Sequence, residues 1–197
     1  VTDAVADLPF RFDAGNHEYL NLLTGEVFPH ITGMLEQTGW IDDRWYTEES
    51  STRGTIVHRL TAEHDLGAHL PADAGGMYRG YFLAYVKAIG ILQPSFHEVE
   101  VPHVHPYYRF GGRPDRRVTI AARKGVLEIK TGAPEKSHQI QTALQALLVA
   151  RQFHLPPELL QRTCLYVKNG GAFTMVEHVR RRDFDEARDV IRVCCRV

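Results

Sequence analysis

Downstream of Pro94 the spacing of apolar residues changes period twice, and few architectures accommodate that order. "FHEVEVPHVHPYYRFGG", "RRVTIAA" and "GVLEIKT" alternate with the period of two that strands require. "SHQIQTALQALLVARQF" then adopts helical spacing and is closed by Pro156-Pro157. "RTCLYVKNGGAFTMVEHV" returns to the strand period, with Asn169-Gly170-Gly171 as its turn. "RDFDEARDVIRVCCRV" is a last helix with Asp183 as its cap. Together these predict an α/β or α+β chain with a central mixed β-sheet flanked by helices.

Upstream, "EYLNLLTGEVFPHITGMLEQTG" reads as a hairpin turned at Thr24-Gly25, then a short helix that stops near Gly39. "TEESSTRGTIVHRLTAEHDL" carries a Ser/Thr helix-start signature before Ile56, Val57, Leu60 and Leu66. "AGGMYRGYFLAYVKAIGIL" places Tyr78, Phe82, Tyr85, Val86 and Ile89 on one helical face, with Gly90 at its end. Pro102 and Pro106 limit the first strand to an edge or bulged position. The two strands after it are expected to turn around Arg123-Lys124-Gly125. The 197 residues suit one domain.

Charge is informative in its distribution rather than its sum of −1. Residues 109–136 hold eight bases against Asp115, Glu128 and Glu135, a footprint expected for a polyanion; a solvated charged hairpin is the plainer alternative. No segment approaches the ~20 apolar residues of a membrane span. "VTDAVADLPFRFDAG" lacks the basic start and long apolar run of a secretory signal. Three cysteines, Cys164, Cys194 and Cys195, are an odd number and argue for a reducing, cytoplasmic setting.

The chemistry concentrates in "GGRPDRRVTIAARKGVLEIKTG". Glu128 and Lys130 share one strand face, while Leu127 and Ile129 take the other. With the turn at Arg123, Asp115 falls about level with Lys130–Thr131, and a small bend brings both carboxylates to one ion. Two carboxylates beside a phosphate suit Mg²⁺ or Mn²⁺, and an adjacent ammonium suits a developing oxyanion. A bare Glu-x-Lys is otherwise a surface ion pair of small energy.

Gly112-x-x-Asp115, then Glu128-Ile129-Lys130-Thr131-Gly132, then a helix with Gln141, resembles the PD-(D/E)XK nuclease superfamily. The likeness is to its RecB-like branch, which includes phage-type exonucleases and also carries a helical His after a Gly, here Gly54 and His58. It spans about residues 53–150. The resemblance implies a restriction-endonuclease-like core over about 53–180 of a single 1–197 domain, with an N-terminal extension over 1–52. It further implies that His58, Asp115, Glu128 and the Ile129 backbone carbonyl are metal ligands. Lys130 is then the catalytic amine, and Gln141 helps place the nucleophile. Relatives also set an acid on the strand before the Asp, which makes Glu100 a further ligand candidate and brings Glu98 into view. Arg53, Arg113 and Arg116 are candidate phosphate contacts because guanidinium forks match phosphate oxygens. His103 and His105 share a face but lack a third partner and read as structural.

Two features depart from the branch. Its helix motif reads Gln-x-x-x-Tyr, whereas this chain has Gln145 in the last place. Many relatives hold an iron–sulfur cluster through four cysteines, which three cannot supply. The resemblance implies a Mg²⁺- or Mn²⁺-dependent deoxyribonuclease, an exonuclease of recombination, repair or phage DNA processing. A DNA-binding or assembly module with weak catalysis, and a structure-specific endonuclease, are the alternatives.

Overall fold

In the computed structural model, residues 9–42, 44 and 47–195 are described. The expectation for the extreme N-terminus falls partly on residues 1–8 and so lies outside them. Strands β1 (Phe10–Asp13), β2 (Glu18–Asn21) and β3 (Val27–Phe28) pair antiparallel as a ribbon, and helix α1 (Ile31–Gln37) follows. The Thr24-Gly25 turn forms as expected. Asn21 Oδ1 accepts the Leu23 amide at 2.8 Å, and Gly25 supplies a φ of 73°.

Helix α2 (Glu48–Asp65) begins where the Ser/Thr cluster indicates. Thr47 Oγ1 accepts from the Ser50 amide, and Ser50 Oγ accepts from the Thr47 amide. Val57 and Leu60 are buried as expected, but Leu66 caps the helix and is exposed. Helix α3 (Arg79–Leu92) runs two residues past Gly90 and ends on Gln93 in the left-handed region.

The alternating "FHEVEVPHVHPYYRFGG" is not one strand. It divides into β4 (Ser95–Val99), β5 (His103–His105) and β6 (Phe110–Gly112), the last two forming a separate hairpin. Pro102 and the positive φ of Glu100, 53°, separate β4 from β5. Strands β7 (Arg116–Ile120) and β8 (Arg123–Lys130) follow, then helix α4 (Lys136–Phe153), strands β9 (Gln161–Val167) and β10 (Phe173–Glu177), and helix α5 (Arg182–Cys194). The main sheet has the order β10-β9-β8-β7-β4, with β8 and β9 parallel and the other neighbours antiparallel. The fold is thus α/β with a mixed central sheet, as the period changes indicate.

Both faces of that sheet are covered. Val126 on one face packs with α1, α4 and α5, while Leu127 and Ile129 on the other pack with α2 and α3. Segments outside residues 53–180 also contribute, through Met34, Leu35, Phe184 and Ile191. Asp183 does not cap α5. The N-cap is Arg181, and Asp183 is buried in the first turn, where it accepts from Arg162 at 2.8 Å. Among the described residues no helix is long and apolar enough to cross a membrane.

One correction decides how the site is built. The β7–β8 turn lies at Ala121-Ala122, with φ of 48° and 64°, rather than around Arg123. Two positive φ values in sequence define the tight hairpin turn that matches strand twist. Alanine carries no signal for it, so Lys124-Gly125 reads as the turn instead. Gly125 serves the sheet differently, since a Cβ there would lie 2.0 Å from the Gln161 carbonyl oxygen of β9.

Candidate metal centre

The register that follows pairs Arg116 with Leu127, which sets Asp115 level with Glu128 one step beyond the pairing. No bend at Gly111-Gly112 is required. The Ile129 amide donates to Asp115 Oδ2 at 2.7 Å, locking the carboxylate across the strand pair. Glu100 is drawn in from the end of β4, where its amide donates to the Asp115 carbonyl at 3.0 Å. Helix α2 delivers His58, whose Nδ1 lies 3.1 Å from Asp115 Oδ1 and 3.6 Å from Glu100 Oε1.

His58, Glu100 and Asp115 therefore converge, each offering one ligand atom within 4.8 Å of the others. A divalent cation fits them. Glu100 Oε1 is buried without a hydrogen-bond partner, a costly state for a carboxylate oxygen that an ion would relieve. One imidazole and two carboxylates are donors that a divalent cation can take.

Electrostatics agree with a cluster built around positive charge. Burial works against a charged His58, but Asp115, Glu100 and Glu128 outweigh it and raise the imidazole to about 10. Burial likewise works against the Asp115 anion, yet His58, Arg116 and the Ile129 amide lower it to about 2. Burial, reinforced by Asp115, holds Glu100 above the ordinary carboxylate range despite His58.

Glu128 stands beside this group, directed at α4 rather than at α2. Lys130 Nζ donates to Glu128 Oε1 at 3.0 Å and to Gln141 Oε1 at 2.8 Å. Gln141 Nε2 donates to Glu128 Oε1 at 2.6 Å, and Gln145 Nε2 donates to Glu128 Oε2 at 2.7 Å. Burial opposes the charge on Lys130, but Glu128 and Asp115 outweigh it and raise its pKa. The sequence identifies Gln141 but treats Gln145 only as a departure. The four-residue spacing that puts both amides on one helical face is the signal for it. The Ile129 backbone, named for its carbonyl, meets Asp115 through its amide.

The three arginines separate. Arg53 donates to Thr131 Oγ1 at 3.2 Å and lies over Tyr81, at the end of β8 beside Lys130. Arg113 is partly exposed, with Nε 3.1 Å from Glu100 Oε2. Arg116 is fully buried, which corrects its reading as a phosphate contact. Its Nε donates to Asp65 Oδ2 at 2.6 Å and its Nη1 to the Asp115 carbonyl at 2.6 Å. Asp65 also accepts from Tyr85 and from His64 Nδ1, so a buried network links α2 and α3 to β7 behind the cluster. Asp65 lies two helical turns after His58, the spacing that places both on one side of α2. Glu98 pairs with Arg117 at 2.8 Å and with His103 at 2.7 Å, outside the cluster. His105 stacks on Phe110.

No protein-family model and no curated protein sequence matches this chain. Solved structures with related shape include one named "Putative exonuclease" from Eubacterium rectale, at 12% identity and a TM-score of 0.46, covering 82% of this chain and 69% of the other. LHK-Exo in complex with dAMP gives 17% identity and a TM-score of 0.43, covering 84% and 85%. At these values the likeness is one of general shape, and the chemistry rests on the residues themselves.

Proposed function

We propose that the chain is a divalent-metal-dependent deoxyribonuclease that hydrolyses phosphodiester bonds. The observation that carries the reading is the convergence of His58, Glu100 and Asp115, with a buried carboxylate oxygen that accepts no hydrogen bond, beside the Glu128–Lys130 pair. His58, Glu100 and Asp115 would hold Mg²⁺ or Mn²⁺, and Glu128 is near enough for its charge to act on His58. When bound, the ion would polarise the scissile phosphate and lower the pKa of a water. Lys130 keeps its proton through Glu128 and Asp115 and can donate it as a hydrogen bond to the developing oxyanion. Gln141 and Gln145 fix the Glu128 carboxylate, and through Gln141 the ammonium as well. Arg53, bonded to Thr131, and Arg113, beside Glu100, would meet neighbouring phosphates.

An exonuclease is the preferred form, on the motif order Gly54, His58, Asp115, Glu128, Lys130 and Gln141. One observation favours a DNA-binding module with weak catalysis: both Glu128 oxygens already accept hydrogen bonds from Lys130, Gln141 and Gln145. Labelled linear, circular and branched DNA incubated with Mg²⁺ or Mn²⁺ separates these readings. Digestion of the linear form alone identifies an exonuclease, and nicking of circles an endonuclease. Binding without cleavage in either metal removes the enzyme reading.

A further inference from the structure

An ammonium group has three N–H donors, and two of those on Lys130 are engaged, by Glu128 Oε1 at 3.0 Å and by Gln141 Oε1 at 2.8 Å. With both contacts fixed, the direction of the third is set. The Glu128 contact is made within β8, whereas the Gln141 contact depends on where α4 lies. Residues 131–135, which join β8 to α4, are neither helix nor strand, and all but Thr131 are exposed. Such a connection leaves the start of the helix to be fixed by side chains.

Tyr166 supplies one of them. In the parallel register of β8 and β9, Tyr166 is the partner of Lys130 and Cys164 that of Glu128, so the phenol stands on the same face of the sheet as the ammonium. Its hydroxyl lies 2.8 Å from His138 Nδ1, in the first turn of α4. That nitrogen already accepts from the Glu135 amide at 3.3 Å, so the phenol is the donor. Burial lowers the His138 pKa and raises that of Tyr166, so both side chains are neutral at pH 7. Gln141 and Gln145 follow His138 by three and seven residues, spacings that put all three on one face of the helix. Arg162 Nη1 donates to the Gln139 carbonyl at 3.0 Å, a second tie between β9 and α4. One tie holds a helix in place, and two also fix its rotation.

We propose that Tyr166 is a positioning residue: through His138 it sets the rotation of α4, and with it the Gln141 contact that aims the Lys130 ammonium. The inference rests on the nuclease reading for what the ammonium does, and on these contacts alone for how it is held. Tyr166 would act through Gln141 and not on the substrate, so its loss should fall on kcat rather than on KM.

Tyr166→Phe removes the hydroxyl and keeps the ring. In the full chain with Mn²⁺, kcat for cleavage of labelled linear DNA should fall about ten- to a hundredfold, the scale of a small misplacement, with KM nearly unchanged. His138→Leu should do the same, while His138→Asn, whose amide oxygen takes the place of Nδ1, should keep most of the turnover. Combining Tyr166→Phe with His138→Leu should lose no more than either alone. Thr142→Val is the control, since its buried hydroxyl belongs to the same helix but donates to the His138 and Gln139 carbonyls, at 3.0 and 3.1 Å. It should leave kcat unchanged. In parallel, hydrogen exchange at the Gln141 side-chain amide, followed by NMR, should quicken about tenfold in Tyr166→Phe and not in Thr142→Val. Unaltered kcat or unaltered exchange in natively folded Tyr166→Phe, or equal losses in Tyr166→Phe and Thr142→Val, overturns the proposal. Should Tyr166→Phe fail to fold, His138→Leu against His138→Asn carries the same comparison. If the unsubstituted chain cleaves no DNA, the nuclease reading falls, and the amide exchange still decides whether Tyr166 positions Gln141.

Discussion

Asp65→Asn is the substitution that most sharply tests how the candidate centre is held. Asp65 and Arg116 form an ion pair in which both side chains are fully buried. Asparagine preserves the shape and much of the hydrogen-bonding capacity, so the change isolates the charge. Arg116 would keep the Asp115 carbonyl at 2.6 Å and Glu100 at 3.7 Å, neither of which replaces a direct carboxylate contact. Removing one partner of a buried pair costs about 3–5 kcal/mol, a large share of the ~5–15 kcal/mol that holds a typical domain folded. For a chain of this length that is a fall of roughly 6–20 °C in Tm. Tyr85→Phe, which removes a neutral donor from the same carboxylate, should cost only about 1 kcal/mol. Urea unfolding followed by far-UV circular dichroism measures both, and a Mn²⁺ titration should show weaker binding in Asp65→Asn because α2 carries His58 as well. Equal losses in the two variants, or a loss below about 1 kcal/mol for Asp65→Asn, would refute the reasoning that a buried charge pair fixes α2 against β7.

Three further outcomes are expected. Replacing Ala121-Ala122 with Asn-Gly should raise the urea midpoint by the equivalent of about 1 kcal/mol, because both positions require positive φ; an unchanged midpoint would count against the turn. Gln145→Leu removes a donor from the nearly buried Glu128 but also an unpartnered acceptor, so a net loss of about 1–2 kcal/mol is expected in the same assay. His138 supplies a pH dependence. Burial, with Lys130 close by, lowers its pKa to about 3, against 6.5 when unfolded. Between those values the unfolded chain binds the proton and the folded chain does not, so stability rises with pH across that window. On acidification from pH 6.5 towards 3 the urea midpoint should therefore fall, by up to about 1.4 kcal/mol per pH unit from this group, and His138→Gln should flatten the slope.

Much of the fold was legible because burial imposes period on sequence. Helix α4 is buried along nearly its whole length, and its apolar residues announce it. The β9–β10 hairpin carries its own Asn-Gly-Gly turn. The site was harder to read because its geometry depends on features without a compositional mark. Two alanines with positive φ shift the β7–β8 register and bring Asp115 opposite Glu128. Glu100 joins His58 and Asp115 only because the chain turns at that residue.

The basic cluster over residues 109–136 was the most misleading signal. Much of its charge is committed to the chain's own carboxylates, with Arg109 on Glu26, Arg116 on Asp65, Arg117 on Glu98, Arg123 on Glu177 and Lys130 on Glu128. Counting bases cannot separate an ion pair that holds strands from one that meets a phosphate. Arg113 illustrates the difference, since it is partly exposed and sits against Glu100 at the candidate metal centre.

A manganese-soaked crystal tests the central claim most directly. Anomalous difference density collected at the manganese edge should show an ion within bonding distance of His58, Glu100 and Asp115, and Asp115→Ala should abolish both the peak and metal-dependent cleavage of DNA. No ion among those three side chains, or digestion undiminished in Asp115→Ala, would contradict it.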